Sequence, residues 1–301
     1  KLMRILCKVF SERIHRMTIR FVLLVVVAAM VFEVPASAHE TSAGEATLTG
    51  NFWGLGDELA KDGLSVSLSA TSIYQQNVSG GLSTHKRAGR FSGSYDLELE
   101  ADLAAILGIE GGSIYMLGEG SWSKSGGIND GSVGSWLGVN GDAALRRALD
   151  ITQLWYEQAM ADDTFRLRFG KIDLTGGFEC KGCPVSFDGS MYANDETSQF
   201  LNPAFVNNPT IPFPDNGLGI IAYWNPVEWW YLAAGAADAQ SDVRETGFRT
   251  ALHKEDYFVY MAETGVVTEM EGCNGKLPGG YRIGMWYDPQ PKVVSSEEDV
   301  K

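Results

Sequence analysis

The stretch Ile151–Asp173, ITQLWYEQAMADDTFRLRFGKID, restricts the fold more than any other part of the chain. Leu154, Tyr156 and Met160 alternate with Gln153, Trp155, Glu157 and Ala159. After a turn at Ala161–Thr164, Phe165, Leu167 and Phe169 alternate with Arg166, Arg168 and Gly170. A period of two places the two sets on opposite faces of a β-hairpin. One face is almost wholly apolar, while the other carries Gln, Glu and paired Arg. Two architectures accept such a hairpin. A soluble sheet turns its polar face to water and its apolar face to a core. A membrane barrel turns its apolar face to lipid and its polar face to a wet lumen.

The start of the chain supplies a compartment. Met17–Ala38 reads as a secretory signal peptide: Arg13, Arg16 and Arg20 form a basic flank, FVLLVVVAAMVF an apolar segment, and Ala36-Ser37-Ala38 a small-residue cleavage site. That apolar run of 12 residues is short of the roughly 20 that a spanning helix requires. Residues 1–38 are therefore expected to be removed, with residues 1–16 an upstream extension of the start. The formal net charge is −14; residues 1–38 hold six basic and two acidic residues, which leaves −18 on the remainder. Nucleic acid is an unsuitable partner for so acidic a chain, because phosphate binding requires a basic stripe.

Beyond a leader and short helix at residues 39–63, the pattern predicts nine strands over residues 64–288, followed by a loop-like end at 289–301. Strand one is Leu64–Tyr74. Strand two, about Phe91–Leu103, sets Asp96, Glu98, Glu100 and Asp102 on one face. Clustered carboxylates of this kind need water. Strand three, Ser113–Trp122, adds Glu119. A loop over Ser123–Leu149 leads to the opening hairpin, and the longest loop, Leu174–Asn216, follows it. Strands six and seven, Gly217–Trp224 and Trp229–Ala237, flank a turn at Asn225–Glu228. Strand eight, Tyr257–Val267, and strand nine, Gly280–Asp288, are separated by Glu269–Leu277. Long connections after strands one, three, five and seven alternate with short ones, as in an up-and-down transmembrane barrel. Tyr223, Trp224, Trp229, Trp230 and Tyr231 bracket one short turn, where an interfacial aromatic girdle is expected.

Several segments, in order, resemble the carbohydrate-selective porins of the OprB type. They are NFWGLGDELAKDGL at Asn51–Leu64, LWYEQ at Leu154–Gln158, RLRFGKID at Arg166–Asp173, FLN at Phe200–Asn202, GLG at Gly217–Gly219, NPVEW at Asn225–Trp229 and LPGGYR at Leu277–Arg282. The resemblance runs from about residue 48 to 288. It implies an all-β, antiparallel barrel of the bacterial outer membrane with about sixteen strands, lying in the lipid bilayer and admitting small carbohydrates by passive diffusion. Nine strands then make an incomplete barrel, and this chain alone is not expected to close, insert or conduct.

The chemistry points the same way. His39, His85 and His253 lie apart from any nucleophile motif, and no G-x-S-x-G or H-E-x-x-H occurs. Gly54-Leu55-Gly56 and Gly118-Glu119-Gly120 lack the third glycine of a dinucleotide fingerprint. No enzyme activity and no cofactor or metal is expected. Cys180-Lys181-Gly182-Cys183 is open to a loop disulfide, a metal ligand pair or free thiols. Sugars present hydroxyls around an apolar ring face, and an aromatic beside Arg and carboxylate forks matches that chemistry. Trp155, Glu157, Arg166 and Arg168, with Glu119, Glu98 and Glu100 nearby, are the expected pore-lining sugar contacts. A homo-oligomer is compatible with this reading. The rival readings are a secreted soluble sugar-binding β-sandwich and an outer-membrane barrel enzyme.

Overall fold

The computed structural model describes residues 50–122, 127–136, 138–141, 146–173, 216–241, 257–272 and 275–291, with Phe178, Cys180 and Cys183. The expected signal peptide, residues 39–49, Phe200–Asn202, His253 and the tail beyond residue 291 lie outside the described residues. The chain divides into residues 1–58 and 59–301. In the first unit, Asn51 Nδ2 donates to Asp57 Oδ1 at 2.6 Å. A short helix, Leu55–Lys61, stops before Gly63, whose φ of +83° is a left-handed conformation open to glycine.

The second unit is one antiparallel sheet of nine strands in sequence order. They are β1 (Leu64–Gln76), β2 (Gly89–Asp102), β3 (Gly112–Trp122), β4 (Arg146–Met160) and β5 (Phe165–Asp173), then β6 (Asn216–Val227), β7 (Trp230–Asp238), β8 (Phe258–Gly272) and β9 (Gly275–Tyr287). Every described strand pairs with its sequence neighbours, the up-and-down order expected of a barrel wall. A sandwich needs a second sheet, and the described strands form only one.

Several boundaries differ from the sequence reading. β4 begins inside the expected loop, because Ser121 and Trp122 pair with Arg147 and Arg146 after two register shifts in the β3–β4 ladder. β6 runs through Pro226 to Val227 and β7 starts at Trp230, so the expected turn at Asn225–Glu228 moves to Glu228–Trp229. The expected connection at Glu269–Leu277 is strand instead: Gly272 pairs with Gly275, and Glu269 with Pro278. This makes the connection after β8 short as well, extending the alternation by one. Asp102 ends the row of carboxylates as the last residue of β2, paired with Ser113, and has a second role. It caps a one-turn helix, Leu103–Leu107, accepting from the Ala104 and Ala105 amides at 2.8 and 3.4 Å.

Register follows the side-chain pattern across the sheet. Ser65, Ser67 and Ser69 pair with Glu100, Glu98 and Asp96. Glu98 and Glu100 pair with Leu117 and Tyr115, Tyr115 with Trp155, and Glu157 with Arg168. Because successive side chains alternate, these residues share one face. Phe169 lies on the other; it is 51% exposed and meets the Tyr156 ring at 5.2 Å.

The expected aromatic girdle is divided by the same alternation. Trp224 and Trp230 face outward together, 5.8 Å apart, with Trp229 exposed at the turn. Tyr223 and Tyr231, one residue away on the same strands, are buried on the polar face. A run of adjacent aromatics in a strand cannot all face the membrane interface.

Long loops cover part of the polar face. Asn77 Nδ2 in the β1–β2 connection donates to the Ser132 carbonyl at 3.2 Å, and Leu82 N donates to the same oxygen at 2.7 Å. Beyond that junction, Asn140 Nδ2 reaches Ser92 Oγ at 3.2 Å and Gln75 Nε2 reaches the Val139 carbonyl at 3.0 Å. Farther round, Phe178 and Cys180 pack with Ile172, Ile221, Tyr223, Ala233, Ala237 and Val259. Small residues leave room for them: the Phe178 ring lies 3.5 Å from where a Cβ on Gly235 would stand. The polar face therefore carries an apolar patch that strand alternation alone does not announce.

Candidate functional site: a charged and aromatic cluster on the polar face

The tight turn between β4 and β5 fixes the cluster. Glu157 and Arg168 are directly opposite in the ladder, and Ala159 opposes Arg166. Alanine leaves the Arg166 side chain space to lean back toward the carboxylate. Arg166 Nη1 donates to Glu157 Oε1 at 2.9 Å. Arg168 donates to Glu157 Oε2 twice, from Nε at 2.9 Å and from Nη2 at 2.8 Å. Arg166 Nη2 also meets Asp163 Oδ1 at 2.9 Å in the turn. One carboxylate thus holds a pair of guanidiniums, a charge-assisted arrangement stronger than neutral hydrogen bonding. Glu157 is only 2% exposed and Arg168 8%.

Aromatic rings frame the ion pairs. The Arg168 guanidinium carbon sits 3.8 Å from the Trp155 ring centroid and 5.2 Å from that of Tyr223. This is the geometry of a cation over a π face. Tyr115 stacks with Trp155, centroids 4.8 Å apart and planes inclined by 23°. Its hydroxyl donates to Glu98 Oε2 at 3.1 Å. Trp155 Nε1 donates to Gln153 Oε1 at 3.1 Å. Gly170, opposite Trp155 in the ladder, brings the strands close. A Cβ there would stand 2.3 Å from the Leu154 carbonyl oxygen.

The structure brings Trp155, Glu157, Arg166 and Arg168 together, and Tyr115 links Glu98 to them. Glu100 lies on the same face opposite Tyr115. Glu119 is farther along β3, opposite Asp96 and Asp150, and stands apart from the ion pairs. Cys180 and Cys183 are disulfide-bonded, with Cα atoms 5.5 Å apart, and Cys183 and Trp155 each pack against the apolar patch. Among the described residues, no cluster of His, Cys, Asp and Glu is arranged to hold a metal ion.

Sequence reasoning missed Tyr115 and Tyr223, which complete the frame. It also missed a second group made by Tyr231, Glu263 and Arg282. Tyr231 Oη donates to Glu263 Oε1 at 2.8 Å, and Arg282 Nη1 lies 3.3 Å from Glu263 Oε2. The signal was present in the alternation: each of these residues has the parity of the polar face on its own strand.

Comparison with known proteins bears on this wall. Residues 86–296 match the sequence model described as carbohydrate-selective porin, OprB family. A structure of OprB from Pseudomonas putida at high pH superposes with a TM-score of 0.60 at 21% identity, covering 80% of this chain and 56% of that one. A low-pH structure of the same protein gives 0.45 at 16% identity, covering 82% and 62%. A protein of Aquifex aeolicus (strain VF5) described as uncharacterized is 37% identical over 79 residues, 26% of each chain. The chain spans little more than half of the solved relative and about a quarter of the Aquifex protein.

Proposed function

The chain belongs to the OprB family of carbohydrate-selective porins, and from that premise we propose that it builds the wall of an outer-membrane channel through which small carbohydrates diffuse passively. The apolar face carrying Phe169, Trp224 and Trp230 meets lipid, and the face carrying Glu157 and Arg168 lines the lumen. Long loops then lie on the extracellular side and short turns on the periplasmic side. The channel class is not enzymatic.

The observation that supports a sugar preference is the fixed alternation of charge around Glu157. Arg166 and Arg168 are neutralised in part by one carboxylate and are held by three hydrogen bonds to it. An anion meets that carboxylate and a cation meets the guanidiniums, so neither charge sign has a clear path. A neutral polyol carries donors and acceptors on one molecule and can exchange water for either group. Arg fork geometry suits adjacent hydroxyls. Trp155 and Tyr223 hold the Arg168 guanidinium in place, and Trp155 with Tyr115 stacked on it adds apolar ring surface for a sugar's C–H face.

The test is liposome swelling with the full-length protein purified from outer membranes. Monosaccharides should enter faster than zwitterions of similar size. Replacing Trp155 and Arg168 together by Ala should reduce that preference more than it reduces ion conductance. An undiminished sugar preference in the double variant would remove these residues from the selectivity site.

A further inference from the structure

We propose that Tyr231, Glu263 and Arg282 form a second sugar-binding station on the lumen wall, so that the channel engages an oligosaccharide at two places at once. The inference rests on the carbohydrate channel reading above and assigns it a second, separate set of contacts.

The two stations have the same construction. In each, a nearly buried carboxylate is bound on one oxygen by a guanidinium from the next strand and on the other by a different donor. Glu157 uses Arg168 and Arg166; Glu263 uses Arg282 and the Tyr231 hydroxyl. In each, an aromatic ring lies beside the carboxylate. The Tyr231 ring occupies the space above Gly265, its ladder partner. A Cβ on that glycine would stand 2.4 Å from a ring carbon. Gly265 in turn pairs with Arg282, and Glu263 with Gly284. Glycines on both sides thus leave the carboxylate and guanidinium room to meet on the diagonal. The Arg282 side chain is 29% exposed against 9% for that of Glu263, so the guanidinium is the more accessible of the two.

Register sets the separation. Arg166 pairs with Tyr223, Tyr223 with Ala233, and Ala233 with Glu263. The nearest members of the two stations, Arg166 and Glu263, therefore stand three strand spacings apart in one row, about 14 Å along the wall, and Arg168 and Arg282 stand four apart. Between them the row holds Tyr223 and Ala233, part of the apolar patch on which Phe178 and Cys180 pack, and a sugar chain would cross that patch. That spacing exceeds a single pyranose ring and suits a short chain of them. A monosaccharide would occupy one station at a time. A trisaccharide would reach both and gain through effective concentration rather than through any stronger single contact.

Current recordings through the full-length protein, purified from outer membranes, in planar bilayers test this, with glucose and maltotriose as the probes. Sugar binding is read from the concentration that halves the ion current. Maltotriose should block at lower concentration than glucose in the unaltered protein. Arg282→Gln should weaken maltotriose block about tenfold, the weight of one charge-assisted hydrogen bond. It should leave glucose block within about twofold, because the Arg168 station remains. Tyr231→Phe, which keeps the ring over Gly265 and removes only the hydroxyl, should move maltotriose in the same direction by less and fold normally. Unchanged maltotriose block in both variants, or equal loss for both sugars, would overturn the second station while leaving a sugar channel in place. No block of the unaltered pore by either sugar would overturn the carbohydrate reading, and this station with it.

Discussion

Replacing Glu157 with Gln removes one charge and leaves the side-chain shape intact. The carboxylate accepts from Arg166 Nη1 at 2.9 Å and from Arg168 Nε and Nη2 at 2.9 and 2.8 Å. The amide can accept on one atom only, and its NH2 points a donor at a guanidinium. Breaking a buried ion pair by removing one partner costs about 3–5 kcal/mol. Two features push in opposite directions. Two guanidiniums lose the same partner, which raises the cost. Arg166 keeps Asp163 at 2.9 Å, but that carboxylate is 55% exposed, and exposed pairs contribute about 0–1 kcal/mol. The two effects roughly offset, and the expected loss is about 4 kcal/mol, near the middle of the range for a buried network. Urea titration of the protein refolded into lipid vesicles, followed by tryptophan fluorescence, measures it. Arg168→Met should cost less than Glu157→Gln, because it leaves the carboxylate paired with Arg166. A loss below about 1 kcal/mol for Glu157→Gln would place the cluster in the surface-pair regime and refute the buried-network argument.

Two further outcomes follow from the wall. Phe169→Arg puts a cation on the outward face, and bilayer folding should weaken by about 2–4 kcal/mol if the residue sits near the midplane; unchanged folding would assign that face to water. Gly170→Ala forces a side chain into a backbone with φ of +139° and into the Leu154 carbonyl at 2.3 Å. It should destabilise by about 1–3 kcal/mol and lower sugar preference, because the β4–β5 contact holding Trp155 against Arg168 must open. Vesicle unfolding and swelling assays on the same variant check both parts.

The fold was legible because period-two patterning survives in every strand, and because short and long connections alternate. β5 begins and ends where the alternation does. Strand ends were less legible. Pro278 and Gly279–Gly280 argue against a strand by propensity, yet β9 pairs through them. β9 is the outermost of the described strands, where a missing backbone donor is tolerated. Asp102 looked only like one more wall carboxylate, since capping depends on the following residues turning helical. The Glu157 cluster was readable because its members are near in sequence. Tyr115, Tyr223 and the Glu263 group were not, because they reach the site through register across strands. The packing of Phe178 and Cys180 onto the polar face depends on small residues at Ala233, Gly235 and Ala237, which a strand pattern counts only as weakly apolar.

The rings that lie over glycines have a consequence for how this wall can change over generations. Tyr95 covers Gly120, Trp122 covers Gly93 and Tyr231 covers Gly265; a methyl group at any of these glycines would fall within 2.4 Å of a ring atom. Neither member of such a pair can drift independently. A glycine that acquires a side chain evicts the ring, and a ring that is lost bares a patch of backbone. In a lineage of related chains, each pair should therefore switch together or persist together. The outward pairs, Tyr95 with Gly120 and Trp122 with Gly93, should be free to exchange for other lipid-compatible combinations. The Tyr231–Gly265 pair, whose ring also delivers a hydroxyl to Glu263, should exchange far less often.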